Sequence, residues 1–341
     1  CRFVENYGDA GVCWRLASAF AGRGRVVRLV IDDAPPLAWM APAGAPGVQV
    51  VSWEEAGTEP GDVVVEAFGC DPPAAFVQGM AARATVPVWI NLEYLSAEDW
   101  VERSHGLPSP QPGGLTKRFL FPGFTARTGG LLREPGLLAR REAFEGRAWL
   151  AAQGWAAAPT ERVVLLFGYA NPALPALCSA LGEAPTLLLV PPGPVQAALA
   201  GLALPPGLRA RPLPHVSQAD FDHLLWSADL NFVRGEDSLV RAVWAGAPFV
   251  WQAYPQDDGV HHDKVAALRA RMALPEPVQA LWRARNGRPG AAWPGLPGAE
   301  VAGAWRQAAQ AFRARQAALP DLTTSLQAFV RHARGGASAA S

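Results

Sequence analysis

Asp229-Leu230-Asn231-Phe232-Val233-Arg234-Gly235-Glu236-Asp237-Ser238-Leu239-Val240-Arg241 reads as a short apolar strand, a tight glycine turn and a helix start dense in charge. A strand that feeds straight into a helix is the repeating unit of a doubly wound parallel sheet. Further apolar runs at Val163 to Phe167, Thr186 to Val190, Leu208 to Leu213 and Pro248 to Trp251 repeat the unit around it. The same rhythm occupies the first half of the chain, with strands at Arg2 to Val4, Val26 to Ile31, Val48 to Val51, Val63 to Phe68 and Val86 to Asn91, and a helix around Val12 to Arg23. The linker Gln153-Gly154-Trp155-Ala156-Ala157-Ala158-Pro159-Thr160 separates the two series. The pattern therefore predicts two similar α/β domains, residues 1–152 and 161–320, with Asp321 to Arg334 as a last helix packing back on the first. His105 to Arg133, rich in Pro, Gly and Phe, reads as an irregular region, and Gly335 to Ser341 as a tail with no reason to order.

Composition bounds the function. The 341 residues, 50% hydrophobic and 18% charged, suffice for two cores. Thirty basic residues balance thirty acidic ones, so no global charge draws the chain to nucleic acid or an anionic membrane. The longest uncharged run, Pro185 to Leu208, is broken by Pro191, Pro192, Pro194, Pro205 and Pro206 and is no membrane span. Four cysteines with no C-x-x-C pair match neither a structural zinc site nor a disulfide framework, which points to the reducing cytoplasm. The opening Cys1-Arg2-Phe3-Val4 reads as the end of a strand whose beginning is missing.

Two stretches can carry chemistry. Glu5-Asn6-Tyr7-Gly8-Asp9-Ala10-Gly11 lies between the opening strand and an amphipathic helix, where two carboxylates can converge on one cation. The plainer reading makes Asp9 the N-cap of that helix, and spacing alone leaves both open. In Arg234-Gly235-Glu236-Asp237-Ser238, backbone N–H groups at a helix start and a forked guanidinium suit a diphosphate. The plainer reading here pairs Arg234 with one of the acids, which themselves complement the helix dipole. Asp220-x-Asp222 sits in a helical pattern and reads as a solvated face. His261-His262-Asp263 reads as a helix start and Asp32-Asp33 as a turn, so no metal site is expected. A G-x-G-x-x-G dinucleotide fingerprint is absent from the first turn.

The blocks Asn6 to Ala17, Asn91-Leu92-Glu93-Tyr94-Leu95-Ser96, Lys117 to Phe124, Phe167-Gly168-Tyr169-Ala170-Asn171 and Arg234 to Ser238 together resemble the EarP family, protein-arginine rhamnosyltransferases of translation elongation factor P. The resemblance implies a GT-B glycosyltransferase fold, two facing Rossmann-like domains with a cleft between them. It implies dTDP-β-L-rhamnose as donor, no cofactor or metal, elongation factor P as the protein acceptor, and inversion at the sugar. Phe167, Tyr169 and Gln218 would surround the thymine. Arg234, Glu236, Asp237 and Ser238 would lie near the diphosphate, ribose and sugar, with Asn6, Tyr7 and Gly8 also at the donor. Asp9 would be the general base, Glu5 would orient the acceptor guanidinium, and Glu236 would be a further catalytic carboxylate. The chain departs from the family pattern at Glu5, where aspartate is usual. A transferase with another nucleotide sugar or a small acceptor, and a non-catalytic elongation factor P binder, are the competing readings. Carboxylates in both candidate stretches speak against a pure binder.

Overall fold

The structure, a computed structural model, describes residues 7–32 and 34–338. The predicted strand Arg2 to Val4, with Glu5, Asn6 and Asp33, lies outside the described residues. Contacts divide the chain into two compact units, unit 1 ending at Pro135 and resuming at Gln316, and unit 2 spanning Gly136–Arg315.

Unit 1 begins with α1 (Gly8–Ala21), β1 (Val27–Val30), α2 (Leu37–Met40) and β2 (Val48–Val51). It continues through β3 (Val63–Ala67), α3 (Ala74–Ala81), β4 (Val88–Leu92), α4 (Trp100–Ser104), β5 (Pro108–Pro110) and β6 (Thr116–Leu120). β1 and β2 pair in parallel, and a second sheet runs β3-β4-β6-β5, parallel except for β5. α1 buries Ala10, Cys13, Trp14 and Ala17 against Leu29, Ile31 and Ala67, and its other face, Leu16 and Ala19, against Ile90, Leu92 and Leu120.

β6 corrects the expectation of an irregular stretch from His105 to Arg133. Its Lys117 hides the strand pattern because the ammonium is drawn inward by buried Glu66, 3.2 Å away, which also accepts from Trp89 Nε1 at 3.0 Å. A charged residue on the inward face breaks the alternation from which strands are read.

Unit 2 opens with α5 (Leu137–Glu142) and α6 (Gly146–Ala152), then alternates β7 (Arg162–Leu166), α7 (Leu174–Leu181), β8 (Thr186–Val190), α8 (Pro194–Leu199) and β9 (Leu208–Pro212). After α9 (Gln218–Ser227), β10 (Leu230–Arg234), α10 (Gly235–Ala245) and β11 (Phe249–Gln252) come α11 (Val260–Met272), α12 (Glu276–Arg285) and α13 (Ala299–Ala317). The five strands are all parallel in the order β9-β8-β7-β10-β11. This is a Rossmann-like winding, with the order reversing between β7 and β10. Residues 136–152 lie in this unit and not at the end of the first domain. Phe144 stacks on His223 of α9 at 4.6 Å, and Trp149 meets the same ring.

α14 (Leu322–Ser338) returns to unit 1. Its Leu322 and Leu326, with Phe329 and Val330, pack on the core that α1, β4 and β6 share. Arg23 forks onto Asp321 at 2.9 and 3.2 Å and also reaches Thr324 and Gln327. The helix continues to Ser338, through the glycines at which the sequence pattern loses order.

Candidate functional site

In an open parallel sheet, ligands bind outside the carboxyl ends of the strands where the winding reverses. In unit 2 those ends are Phe167-Gly168-Tyr169 after β7 and Arg234-Gly235 where β10 passes into α10, the two blocks singled out in the sequence. They meet directly, because the Arg234 guanidinium carbon lies 4.6 Å from the Phe167 ring centroid and 4.8 Å from that of Tyr169. A guanidinium on aromatic faces is attracted by the ring quadrupoles.

The turn that follows is set by Gly235 at φ +67°, a conformation cheap only for glycine. It joins β10 to α10 with no intervening loop. The Ser238 hydroxyl donates to the Arg234 carbonyl, Trp251 Nε1 donates to the Gly235 carbonyl at 2.8 Å, and Lys264 holds Glu236 at 2.9 Å. The first N–H groups of an α-helix have no partner within it, so this end offers donors beside the Arg234 fork.

Two aromatic residues that the sequence reading did not select complete the cluster. Phe221 meets Phe167 edge-on at 5.4 Å, and Tyr254 meets Tyr169 at 5.5 Å. Phe221 stands three residues after Gln218, on the same face of α9. That spacing was the available signal. Tyr254 follows the end of β11 and is 45% exposed, which no periodicity announces.

Behind the Phe167-Gly168-Tyr169 backbone, Gln252 Oε1 accepts the Tyr169 N–H at 2.9 Å. Arg285, at the end of α12, is 1% exposed, and among the described residues none of its guanidinium nitrogens has a hydrogen-bond partner. Burial lowers its pKa to about 10, so at neutral pH it remains a cation.

In unit 1, Asp9 stands in the first turn of α1 and is 4% exposed. The N-cap position is held by Tyr7, so Asp9 is not the N-cap residue. Tyr7 sets its ring edge-on to Trp39 at 5.4 Å, and among the described residues no atom lies within 4 Å of where a Cβ on Gly8 would stand. Ala10 packs near Ala67, and Phe68, next in the chain, stacks on Tyr94 at 4.6 Å. Asn91 Nδ2 donates to Glu93 at 2.7 Å, while burial and the charge of Glu66 push the Glu93 carboxyl upward. The Asn91 to Ser96 block thus lies at the carboxyl end of β4, near the start of α1. Burial pushes the Cys13 thiol up to about 12, so it stays protonated one turn from Asp9.

The minor motifs resolve as structure. Asp222 is buried and forks onto Arg241 at 2.8 and 2.6 Å, which corrects the solvated-face reading. Asp220 sits in the first turn of α9, where its N–H is capped by Ser217 at 3.1 Å. His261 is buried at the start of α11, accepting from the Gln256 N–H at 3.1 Å. Among the described residues no group of three or more His, Cys, Asp and Glu is arranged to hold a metal ion, and Cys13, Cys70 and Cys178 are free and buried. No described helix is long and apolar enough to cross a membrane.

Two α/β units, one of them Rossmann-like with an aromatic, arginine and helix-terminus cluster at its switch point, define a GT-B glycosyltransferase. The model of the family described as Elongation-Factor P (EF-P) rhamnosyltransferase EarP matches residues 1–331, and the chain belongs to that family. It is 45% identical to a protein-arginine rhamnosyltransferase of Pseudomonas putida, with 97% of each chain covered. It is 41% identical to one of Pseudomonas aeruginosa, covering 96% of this chain and 97% of that one. A structure solved to give the structural basis for EarP-mediated arginine glycosylation of translation elongation factor EF-P superposes with a TM-score of 0.67 at 34% identity, covering 97% of both chains.

Proposed function

We propose that this enzyme transfers L-rhamnose from dTDP-β-L-rhamnose to a guanidino nitrogen of one arginine of elongation factor P, with inversion and without a metal. The observation that carries the donor half is the stacking of Arg234 on Phe167 and Tyr169 at the start of α10. Aromatic faces suit a nucleobase, the Gln218 amide can pair with its edge, and Arg234 at the N-terminus of α10 suits a diphosphate. Family membership and the named relatives support the acceptor half.

An arginine is a poor nucleophile because its guanidinium holds its proton to a pKa above about 12 and shares its lone pairs around the plane. Carboxylates must orient it and take the proton. Asp9, buried in the first turn of α1, serves as that base, with Glu5 as the orienting partner. As the nitrogen bonds to the anomeric carbon, the bond from that carbon to the diphosphate oxygen breaks. The nitrogen's proton passes to Asp9, and dTDP leaves with the bonding electrons. The developing charge on the leaving diphosphate is met by Arg234 and the helix N-terminus, which supply the positive field a divalent cation gives elsewhere. Lys264 holds Glu236 beside this turn, and Glu236, Asp237 and Ser238 contact the ribose and sugar.

The test is intact mass spectrometry of unmodified elongation factor P incubated with the enzyme and dTDP-L-rhamnose, with and without a chelator. The expected result is a gain of one deoxyhexose on a single arginine, unchanged by chelator. No gain, with dTDP still bound in calorimetry, overturns the acceptor assignment.

A further inference from the structure

Arg285 has no role in the chemistry described so far, yet the fold fixes its place. Its carbonyl accepts from Asn171 Nδ2 at 2.7 Å, and the neighbouring Asn286 bonds Trp251 and Ala253 at 2.8 and 3.0 Å. The end of α12 is thereby tied both to the loop after β7 and to the end of β11. A Cβ on Gly168 would collide with Arg285 Nη2 and stand 3.0 Å from Gln252 Oε1 and 3.5 Å from Val195 Cγ2. The guanidinium therefore lies directly behind the Phe167-Gly168-Tyr169 backbone, in space that only glycine leaves free. Two residues before Val195, the Cβ position of Gly193 is 3.7 Å from Arg234 Nη2. The segment from Gly193 to Val195 thus has one guanidinium near each end, Arg234 on the aromatic side and Arg285 in the interior.

A buried cation is normally paired, and among the described residues Arg285 is not. Its titratable neighbour is the Cys178 thiol, which burial keeps protonated. On the side facing Gly168, the Gln252 amide and Val195 stand at the same point as the guanidinium. We propose that Arg285 is a buried electrostatic component of the donor site, whose charge is balanced by the donor's diphosphate through the thin Phe167-Gly168-Tyr169 layer, while Arg234 makes the direct contact. The inference rests on the nucleotide-sugar reading of unit 2. In a low-dielectric interior an uncompensated charge acts over several ångströms, so it strengthens anion binding without touching the anion.

Calorimetry with two probes, thymidine and dTDP, separates this from a role in shaping the loop. Arg285→Met should weaken dTDP by about tenfold or more and leave thymidine unchanged, and it should raise the melting temperature of the ligand-free enzyme because it removes an unpaired charge. Arg285→Lys keeps the charge and should retain most of the dTDP affinity. Equal weakening of thymidine and dTDP, or unchanged dTDP affinity in Arg285→Met, would overturn the proposal while leaving the donor reading in place. If Arg285→Met does not fold, loss of dTDP affinity in Arg285→Lys as large as in Arg234→Lys overturns it. Failure of the wild-type enzyme to bind dTDP overturns both.

Discussion

Arg234 and Arg285 carry the same charge in opposite settings, and the contrast shows which residues a sequence reveals. Arg234 stands between a strand and a glycine turn, where an anion-binding role can be read from spacing alone. Arg285 ends a helix, where a basic residue ordinarily reads as a complement to the dipole. Its burial depends on Gly168, more than a hundred positions away, and no local pattern records that. The Phe167 and Tyr169 faces require a planar cation on Arg234, so Arg234→Lys should weaken dTDP at least tenfold, as read by calorimetry, although the charge is kept. Asp9 was legible as a candidate whose role spacing left open, because a first-turn aspartate reads equally as the N-cap until Tyr7 is seen to occupy that position. Asp9→Asn should lower transfer to elongation factor P by at least about a hundredfold in intact-mass time courses, with dTDP affinity unchanged. Normal turnover in that variant would remove the base assignment.

At the scale of elements, the strands of unit 2 were legible because both faces are buried and the runs are apolar throughout, as in Val163 to Leu166 and Leu187 to Leu189. β6 was not, since Lys117 is neutralised by a residue on another strand. The same reason hid the Asp222 to Arg241 fork, which joins α9, carrying Gln218 and Phe221, to α10, carrying Glu236 and Asp237. Both partners are almost fully buried, so removing one leaves a charge stranded. Asp222→Asn should cost about 3–5 kcal/mol in denaturant unfolding. Replacing both with apolar residues of similar volume, Asp222→Leu with Arg241→Met, should recover most of that loss. If the double variant is as unstable as the single one, the pair does more than neutralise itself.

For the whole molecule, the chain visits unit 1, builds unit 2, and returns to unit 1 with α14. The repeated β-α rhythm announces two Rossmann-like bodies, but the crossing points at Pro135 and Arg315 depend on which hydrophobic faces find each other. Phe144 and Trp149 go to α9, while Leu322 and Leu326 go to α1 and β4. Because α14 is separated from its core partners by the whole of unit 2, the stability of unit 1 depends on a long-range closure. Leu326 is 1% exposed, and Leu326→Ala should destabilise unit 1 by about 2–5 kcal/mol. Each unit has its own core, and the proposed nucleotide contacts of Phe167, Tyr169, Gln218 and Arg234 all lie in unit 2. A ligand stabilises only the body that binds it, by about 2.7 kcal/mol at a hundred times its dissociation constant. Scanning calorimetry of Leu326→Ala should therefore show two transitions, the lower one unmoved by dTDP and the upper one raised by it. If dTDP raises both transitions equally, nucleotide binding draws on unit 1 as well, and the donor contacts must extend to the segment around Tyr7 and Gly8.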